Sequence, residues 1–213
     1  MTVPLSVTTE DYLKTIHELT EYKGYASLIN ISQILGSSRQ SAYDEISILL
    51  ERDYVYRHAR GKYKLTSTGK LQANAFLRKH RVAEILLWKG LEMRWSDLDD
   101  QAMGIEHGMT EEIIEKVCKK YQCDHCPHGN PIPDRNGFVK HENEYLFASM
   151  RTGEDYKFGR VIFETPSVLK YLEGIELLPG ISLKKVDENS VEFKSKRIVL
   201  PSEVIKSVRF LKN

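Results

Sequence analysis

No stretch of this 213-residue chain approaches the about eighteen consecutive apolar residues that a membrane-spanning helix requires, so no membrane partner is expected. Met1 to Thr9 lacks the basic and apolar blocks of a secretion signal, and a soluble, cytoplasmic protein is the expectation. Cysteine is scarce. Cys118, Cys123 and Cys126 are odd in number and close together, which argues against a disulfide framework and suits a reducing compartment. A Gly-rich phosphate loop, a nucleophile motif and an HExxH pair are also missing, so neither catalysis nor a small organic substrate is expected. Neither sign of charge dominates, and the formal net charge of +1 excludes no partner by itself.

The distribution of charge says more than its total. Arg52, Arg57, Arg60, Lys62, Lys64, Lys70, Arg78, Lys79 and Arg81 form a basic stripe interrupted only by Asp53. From Val82 to Phe138 the balance reverses, with Glu84, Asp97, Asp99, Asp100, Glu106, Glu111 and Glu112. One segment suits phosphate, and the next suits cations.

Apolar periodicity predicts mainly helical structure followed by a β module. Thr8 and Asp11 have the spacing of a capping box, and Tyr12, Leu13, Ile16 and Leu19 follow at helical intervals, predicting a helix from about Thr9 to Tyr22 that ends at Gly24. Ile31, Ile34 and Leu35, a break at Gly36-Ser37-Ser38, then Ala42, Ile46, Leu49 and Leu50 outline a helix-turn-helix. The run from Tyr54 to Gly69 changes to a strand-like period around Ala59-Arg60-Gly61, as a hairpin wing would. Helical spacing returns from Lys70 to Trp88 through Leu71, Ala75, Phe76, Val82, Ile85 and Leu86. Further helices are expected with Ser96 and Thr110 at their starts. Cys123 to Phe138 carries Pro127, Pro131, Pro133, Gly129 and Gly137 and reads as a connection. Beyond it VIFET, ISLKKV, SVEFKS and RIVLP are short strand-like runs, with brief helices at Ser167 to Glu173 and Ser202 to Lys206.

With Ala42, Ile46, Leu49 and Leu50 facing inward, the start of the second helix of the pair presents Ser38, Arg39, Gln40, Ser41, Tyr43 and Asp44 outward. Arg pairs with guanine and Gln with adenine in the major groove, so these are base-reading chemistries. Arg57, Arg60 and Lys62 on the wing would grip phosphates. The alternative is a solvated helix beside a charged hairpin. Helix pair, wing and basic stripe in sequence favour double-stranded DNA.

Cation chemistry comes next in the chain. Met103, Glu106 and His107 fall at i, i+3 and i+4 on a predicted helix, and His80 and Glu84 at i and i+4 on another. Each pair alone reads more simply as a surface ion pair, and Asp11 as a plain helix cap. Together they supply the oxygen, nitrogen and sulfur that suit a first-row transition metal. CDHCPHG suggests zinc, but four ligands require Cys118 and His128 to complete the CxxC.

TTEDYLKTIHEL, the helix pair and hairpin, RKHRVAEILL, GIEHGMTEE and CPHGNPIP occur in the order of the diphtheria-toxin-repressor (DtxR) family, which residues 5 to 138 closely resemble. The resemblance implies a winged helix-turn-helix over 1–72, a helical metal-binding and dimerisation domain over 73–138, and an SH3-like small β-barrel over 139–213. It implies a homodimeric repressor of metal homeostasis that binds operator DNA when Fe2+, alternatively Mn2+, is bound, with other divalent transition metals able to substitute. Carried over by position, Asp11, Met103, Glu106 and His107 form a primary metal site and His80, Glu84 and Asp99 an ancillary one. Asp99 departs from the histidine usual in iron-responsive members. Lys14 and Met103 stand where manganese-responsive members carry glutamates. Met103 is similar to the iron-responsive branch in supplying sulfur, while Asp11 points the other way. The third-domain ligands are not clearly preserved, Glu164 being a weak candidate, and CPHGNPIP is a plain connection in relatives. A winged-helix regulator sensing an organic ligand is the alternative from outside the family.

Overall fold

The computed structural model describes residues 5–140 and 142–212 and divides the chain into two compact units. Unit one comprises Met1–Lys79 with Pro133–Val139, and unit two His80–Ile132 with Lys140–Asn213.

Three serine-capped helices open unit one. Helix α1 (Val7–Lys23) is capped by Ser6, whose hydroxyl accepts from the Thr9 amide, and closes at Gly24. The cap is therefore Ser6, two residues ahead of the predicted Thr8, and Thr9 instead turns its hydroxyl to Glu45. Ser27 caps α2 (Leu28–Ile34), and Ser38 caps α3 (Arg39–Glu51) by accepting from the Ser41 amide. Each such cap is worth about 1 kcal/mol. Leu13, Ile16, Leu19, Ile31, Ala42, Ile46 and Leu49 are buried, as their spacing requires, and each Leu or Ile contributes roughly 1.5–3 kcal/mol.

Strands β1 (Val55–Ala59) and β2 (Lys62–Leu65) form an antiparallel hairpin turning at Arg60-Gly61, with Val55 paired to Leu65. Reciprocal backbone bonds between Ala26 and Tyr63 attach it to the segment before α2. Helix α4 (Ser67–Ile85) follows, and the boundary between units falls within it. Of the apolar residues expected to face inward, Phe76, Val82 and Ile85 are buried whereas Leu71 and Ala75 are exposed, and Ala73 and Leu77 take their place in the core.

In unit two α4 gives way to a wide turn at Leu86–Gly90 and then to a 3-10 turn at Trp95–Asp97. Helix α5 (Leu98–Met103) carries Asp99 and Asp100 in its first turn. Ser96 does not cap it: its hydroxyl is buried and without a hydrogen-bond partner. The helix stops at Met103, and Glu106–Gly108 is a separate 3-10 turn. Met103, Glu106 and His107 thus do not share one helical face, because Gly104 and Ile105 interrupt the α-helical spacing. Thr110 caps α6 (Glu111–Tyr121) as expected. Beyond α6 the backbone reverses at Gln122 (φ 59°) and brings Cys123 back over the last turn, where it forms a disulfide with Cys118 across a Cα–Cα distance of 4.9 Å. Spacing alone argued against disulfides, but the reversal creates one.

The remainder of unit two is β3 (Glu144–Tyr145), β4 (Asp155–Val161), α7 (Pro166–Gly174), β5 (Ser182–Lys185), β6 (Ser190–Phe193), β7 (Lys196–Val199), α8 (Ser202–Ser207) and β8 (Val208–Lys212). The strands make one antiparallel sheet in the order β3-β8-β4-β5-β6-β7. VIFET is mostly a bend after β4, and β3 and β8 were not foreseen. Tyr156 and Phe158 of β4, Phe210 of β8 and Val191 of β6 join Ile85, Trp95, Leu98 and Ile114 in one apolar core. The helices and the sheet of this unit therefore stabilise each other.

Gly69 sits so close to Tyr54 that an added Cβ would lie 1.9 Å from the Tyr54 carbonyl oxygen, whereas Gly108 has open space around it. Gly69→Ala should cost about 1–3 kcal/mol, seen as a lowered urea midpoint, while Gly108→Ala leaves the midpoint nearly unchanged; equal midpoints would contradict this packing.

Candidate metal centre

Unit two contains a buried set of charged side chains. One turn apart on α4, His80 and Glu84 are 3% and 0% exposed. The first turn of α5 adds Asp99, whose Oδ1 lies 3.2 Å from His80 Nε2, and Glu84 Oε1 lies 3.4 Å from the same nitrogen. On its other side His80 Nδ1 meets Glu106 Oε2 at 2.5 Å. Glu164, on the bend after β4, completes a quartet: His80, Glu84, Asp99 and Glu164 each offer a donor atom within 4.8 Å of the others.

A second set shares two of these residues. Cys126, Pro127, His128 and Asn130 of the connection after α6 are buried, with Arg81 donating to the Pro131 carbonyl at 2.6 Å and the Val161 amide donating to the His128 carbonyl at 2.9 Å. Gly129 makes this possible: its φ is 85°, and a Cβ there would lie 2.2 Å from the Gly159 carbonyl oxygen. His128 is thereby fully buried, its Nδ1 2.9 Å from Glu84 Oε1 and 2.8 Å from Glu164 Oε2. Glu84, Cys126, His128 and Glu164 again offer donors within 4.8 Å of one another.

Electrostatics follow from this packing. Burial pushes the Glu84 carboxyl up, but the His128 charge and hydrogen bonds from His128 and His80 outweigh it and hold Glu84 well below the usual carboxylate range. Burial likewise opposes a charged His128, yet the charges of Glu164 and Glu84 and their hydrogen bonds keep it well above its ordinary value. Glu164 is raised to about 7 by burial and by the Glu84 charge, against the pull of His128. Burial, then the Glu84 and Glu164 charges, push the Cys126 thiol well above its usual value. One oxygen, Glu84 Oε2, is buried with no hydrogen-bond partner. A buried carboxylate oxygen in that position costs several kcal/mol unless a cation faces it, so these residues fit a divalent metal.

Of the other residues singled out by sequence, Met103 ends α5 with half its surface exposed, and His107 is half-buried with its Nε2 3.9 Å from Glu106 Oε1. Asp11 lies on α1 in unit one, half-buried. Ser38, Arg39, Gln40, Ser41, Tyr43 and Asp44 are all exposed at the start of α3; Gln40 Nε2 donates to Asp44 Oδ1 at 2.8 Å, and Ser38 is occupied as the cap. Arg57 and Arg60 are exposed on the hairpin, whereas Lys62 is half-buried with its amine 4.1 Å from the centre of the Tyr25 ring. Cys126 and His128, considered in the sequence only as zinc ligands with Cys118 and Cys123, stand instead beside Glu84 and Glu164, while Cys118 and Cys123 are joined to each other; Asn130 was missed because CPHGNPIP reads as a loop. The signal available was the coincidence of a Cys, a His and an Asn in one rigid, proline-bounded segment.

Residues 66–134 match the family model described as "Iron dependent repressor, metal binding and dimerisation domain". Over 128 residues the chain is 34% identical to the iron-dependent repressor IdeR of Mycobacterium leprae, a match covering 59% of this chain and 55% of that protein. The matched region thus spans about half the length of the curated relatives. The crystal structure of T. acidophilum IdeR is similar throughout, with 41% identity and a TM-score of 0.94 over 99% of this chain and all of that one. The chain belongs to the diphtheria-toxin-repressor (DtxR) family. A manganese-dependent transcriptional repressor solved with manganese shares the fold, at 24% identity and a TM-score of 0.85 over 96% of this chain and 100% of that one. Within this DtxR-family chain, Glu164 lies beyond the segment that the family model matches, and the β4–α7 bend supplies it.

Removing the His128 side chain leaves Glu84 and Glu164 buried without their shared cation. With a chelator present, His128→Ala is expected to lose about 3–5 kcal/mol in urea unfolding; an unaltered midpoint would show that the ion pair is not what stabilises this region.

Proposed function

We propose that this protein is a divalent-metal-activated, DNA-binding transcriptional repressor that controls metal homeostasis as a homodimer in the cytoplasm, and not an enzyme. The observation that carries the reading is the buried donor quartet of His80, Glu84, Asp99 and Glu164, three of whose members lie in the segment matched by a metal-binding and dimerisation model. The iron-dependent and manganese-dependent names of similar proteins support the same class.

The proposed architecture is a winged helix-turn-helix over 1–72, a helical metal-binding and dimerisation domain over 73–138 and an SH3-like β domain over 139–213. Helix α3 reads base edges with Arg39, Gln40, Ser41, Tyr43 and Asp44, and Ser38 at its cap contacts phosphate. Arg57 and Arg60 grip the backbone, and Lys62, held over Tyr25, extends the same basic surface. The proposed ancillary ligands are His80, Glu84 and Asp99, with Glu164 added. The proposed primary ligands are Asp11, Met103, Glu106 and His107. When bound, the cation would add positive charge facing these carboxylates. Glu106 and His107 then act with Asp11 of α1 to restrict the arrangements open to the reading helices, so that a dimer holds them at the separation of successive major grooves. Shifting such an equilibrium from 1:99 to 99:1 takes about 5.5 kcal/mol of differential binding.

Fe2+ is the proposed effector, supported by the sulfur of Met103 and by the identity to iron-dependent repressors. Mn2+ is the second reading, favoured by the quartet itself, in which one imidazole stands among three carboxylates.

Operator fragments selected from random DNA supply the test. Chelator should abolish binding and anaerobic Fe2+ or Mn2+ restore it, while Glu106→Ala and His107→Ala lose the metal response and Arg39→Ala weakens binding about 5- to 150-fold with metal present, as loss of about 1–3 kcal/mol per base contact requires. Chelator-insensitive operator binding would overturn the reading.

A further inference from the structure

Two of the three cysteines are joined at the edge of unit two: Cys118 in the last turn of α6, and Cys123 just past the reversal at Gln122. We infer that this pair is a reversible thiol–disulfide couple, open to dithiol reductants and to peroxide, that clamps or frees the end of α6 and the segment leading from it. The inference concerns the chain's own covalent chemistry and holds whether or not the protein acts at DNA.

A permanent cross-link would add little here. The bond joins residues five apart, and a disulfide stabilises chiefly by restricting the unfolded chain, least for so short a loop. In the cytoplasmic setting proposed above, a disulfide is a transient, redox-sensing bond. Cys118 and Cys123 are half-buried at the margin of the apolar core, whereas Cys126 is buried and free. Exchange is therefore open to the pair and closed to the third thiol.

The backbone between the two sulfurs gives the couple something to switch. Gln122 has φ 59° and ψ 116°, outside the small left-handed region that residues with side chains tolerate. With the bond made, both ends of that reversal are fixed. With it broken, the reversal is held by the Gln122 amide donating to the Cys118 carbonyl at 3.1 Å and by Lys89 donating to the Tyr121 carbonyl at 3.1 Å. The next stretch starts from the same point: the Ile132 amide donates to the Asp124 carbonyl and the Cys126 amide to the Asn130 carbonyl, both at 2.9 Å, and His128 reaches Glu84 from within it. Opening the bond lets Gln122 relax and loosens residues 118–132.

In reduction, one thiolate of the dithiol attacks either sulfur and expels the other as a thiolate, leaving a mixed disulfide. The reductant's second thiolate then closes its own ring and releases the protein dithiol, to which two electrons and two protons have passed. In oxidation, one protein thiolate takes an oxygen from hydrogen peroxide and becomes a sulfenic acid, and the other displaces that oxygen. With the two thiol protons, peroxide leaves as two waters.

Reduced full-length protein, held in chelator, is treated with equimolar hydrogen peroxide and then with dithiothreitol, both without denaturant, and its free thiols are alkylated and located by mass spectrometry. Peroxide should leave Cys126 as the free thiol, and dithiothreitol should return all three. Amide hydrogen exchange of peptides covering 118–132 should then run roughly 10-fold or more faster in the reduced form, with α1 unchanged. A Cys118→Ser/Cys123→Ser variant should exchange like reduced wild type in either buffer; if it fails to fold, the wild-type comparison carries the test. A bond that dithiothreitol opens only in denaturant, or equal exchange in the two forms, overturns the inference and leaves the repressor reading untouched, since neither measurement involves operator or metal.

Discussion

A charge held inside an apolar core is the constraint from which most of unit two follows. Glu84 is completely buried on α4, and its carboxylate is held there by His80 one turn away and by His128, brought to it from the segment after α6. That requirement explains why Cys126, Pro127, His128 and Asn130 of the connection after α6 are buried, why Gly129 passes within contact of Gly159, and why Trp95 offers its carbonyl inward. Glu164 enters the same cluster from the bend after β4. The sheet and the helices are joined by charge as well as by apolar packing.

Helix α4 organises this unit chemically as well as structurally. Its apolar positions Val82, Ala83 and Ile85 enter the core, while His80 and Glu84, one turn apart, gather acidic groups from α5, the Glu106 turn and the β4–α7 bend. Three carboxylates around one imidazole, with a second imidazole and a thiol behind them, form a donor environment graded from hard oxygen to soft sulfur. Such a gradient suits divalent transition ions better than alkaline-earth ones.

Much of the helical half was legible because helical periodicity is local. Leu13, Ile16, Ala42, Ile46 and Leu49 announced their buried faces, and Arg60-Gly61 announced the hairpin. The pairing of His80 with Glu84 could be read from a four-residue interval, and Asp99 from resemblance. What stayed hidden depended on non-local packing. The GIEH segment kept helical spacing through Gly104 and Ile105 while the chain changed to a 3-10 turn, so Met103 and Glu106 separated. Strand β8 follows α8 with no turn residue between, and its alternation of Val208 and Phe210 makes sense only beside β4. His128 sits in a motif that reads as irregular structure, and no interval in the sequence connects it with Glu84 or Glu164. The reversal at Gln122 that pairs Cys118 with Cys123 was equally invisible.

Repression controlled by metal requires the buried carboxylates of unit two to be a binding site for a cation and not merely an internal ion pair. Thermal unfolding of the chelator-treated protein at increasing free Mn2+ measures this directly, with Glu84→Gln as the comparison. Wild-type stability should climb with metal by about 2.7 kcal/mol at a free concentration of about 100 times the dissociation constant, and the variant should respond far less. A wild-type unfolding temperature that does not move with metal would contradict the account.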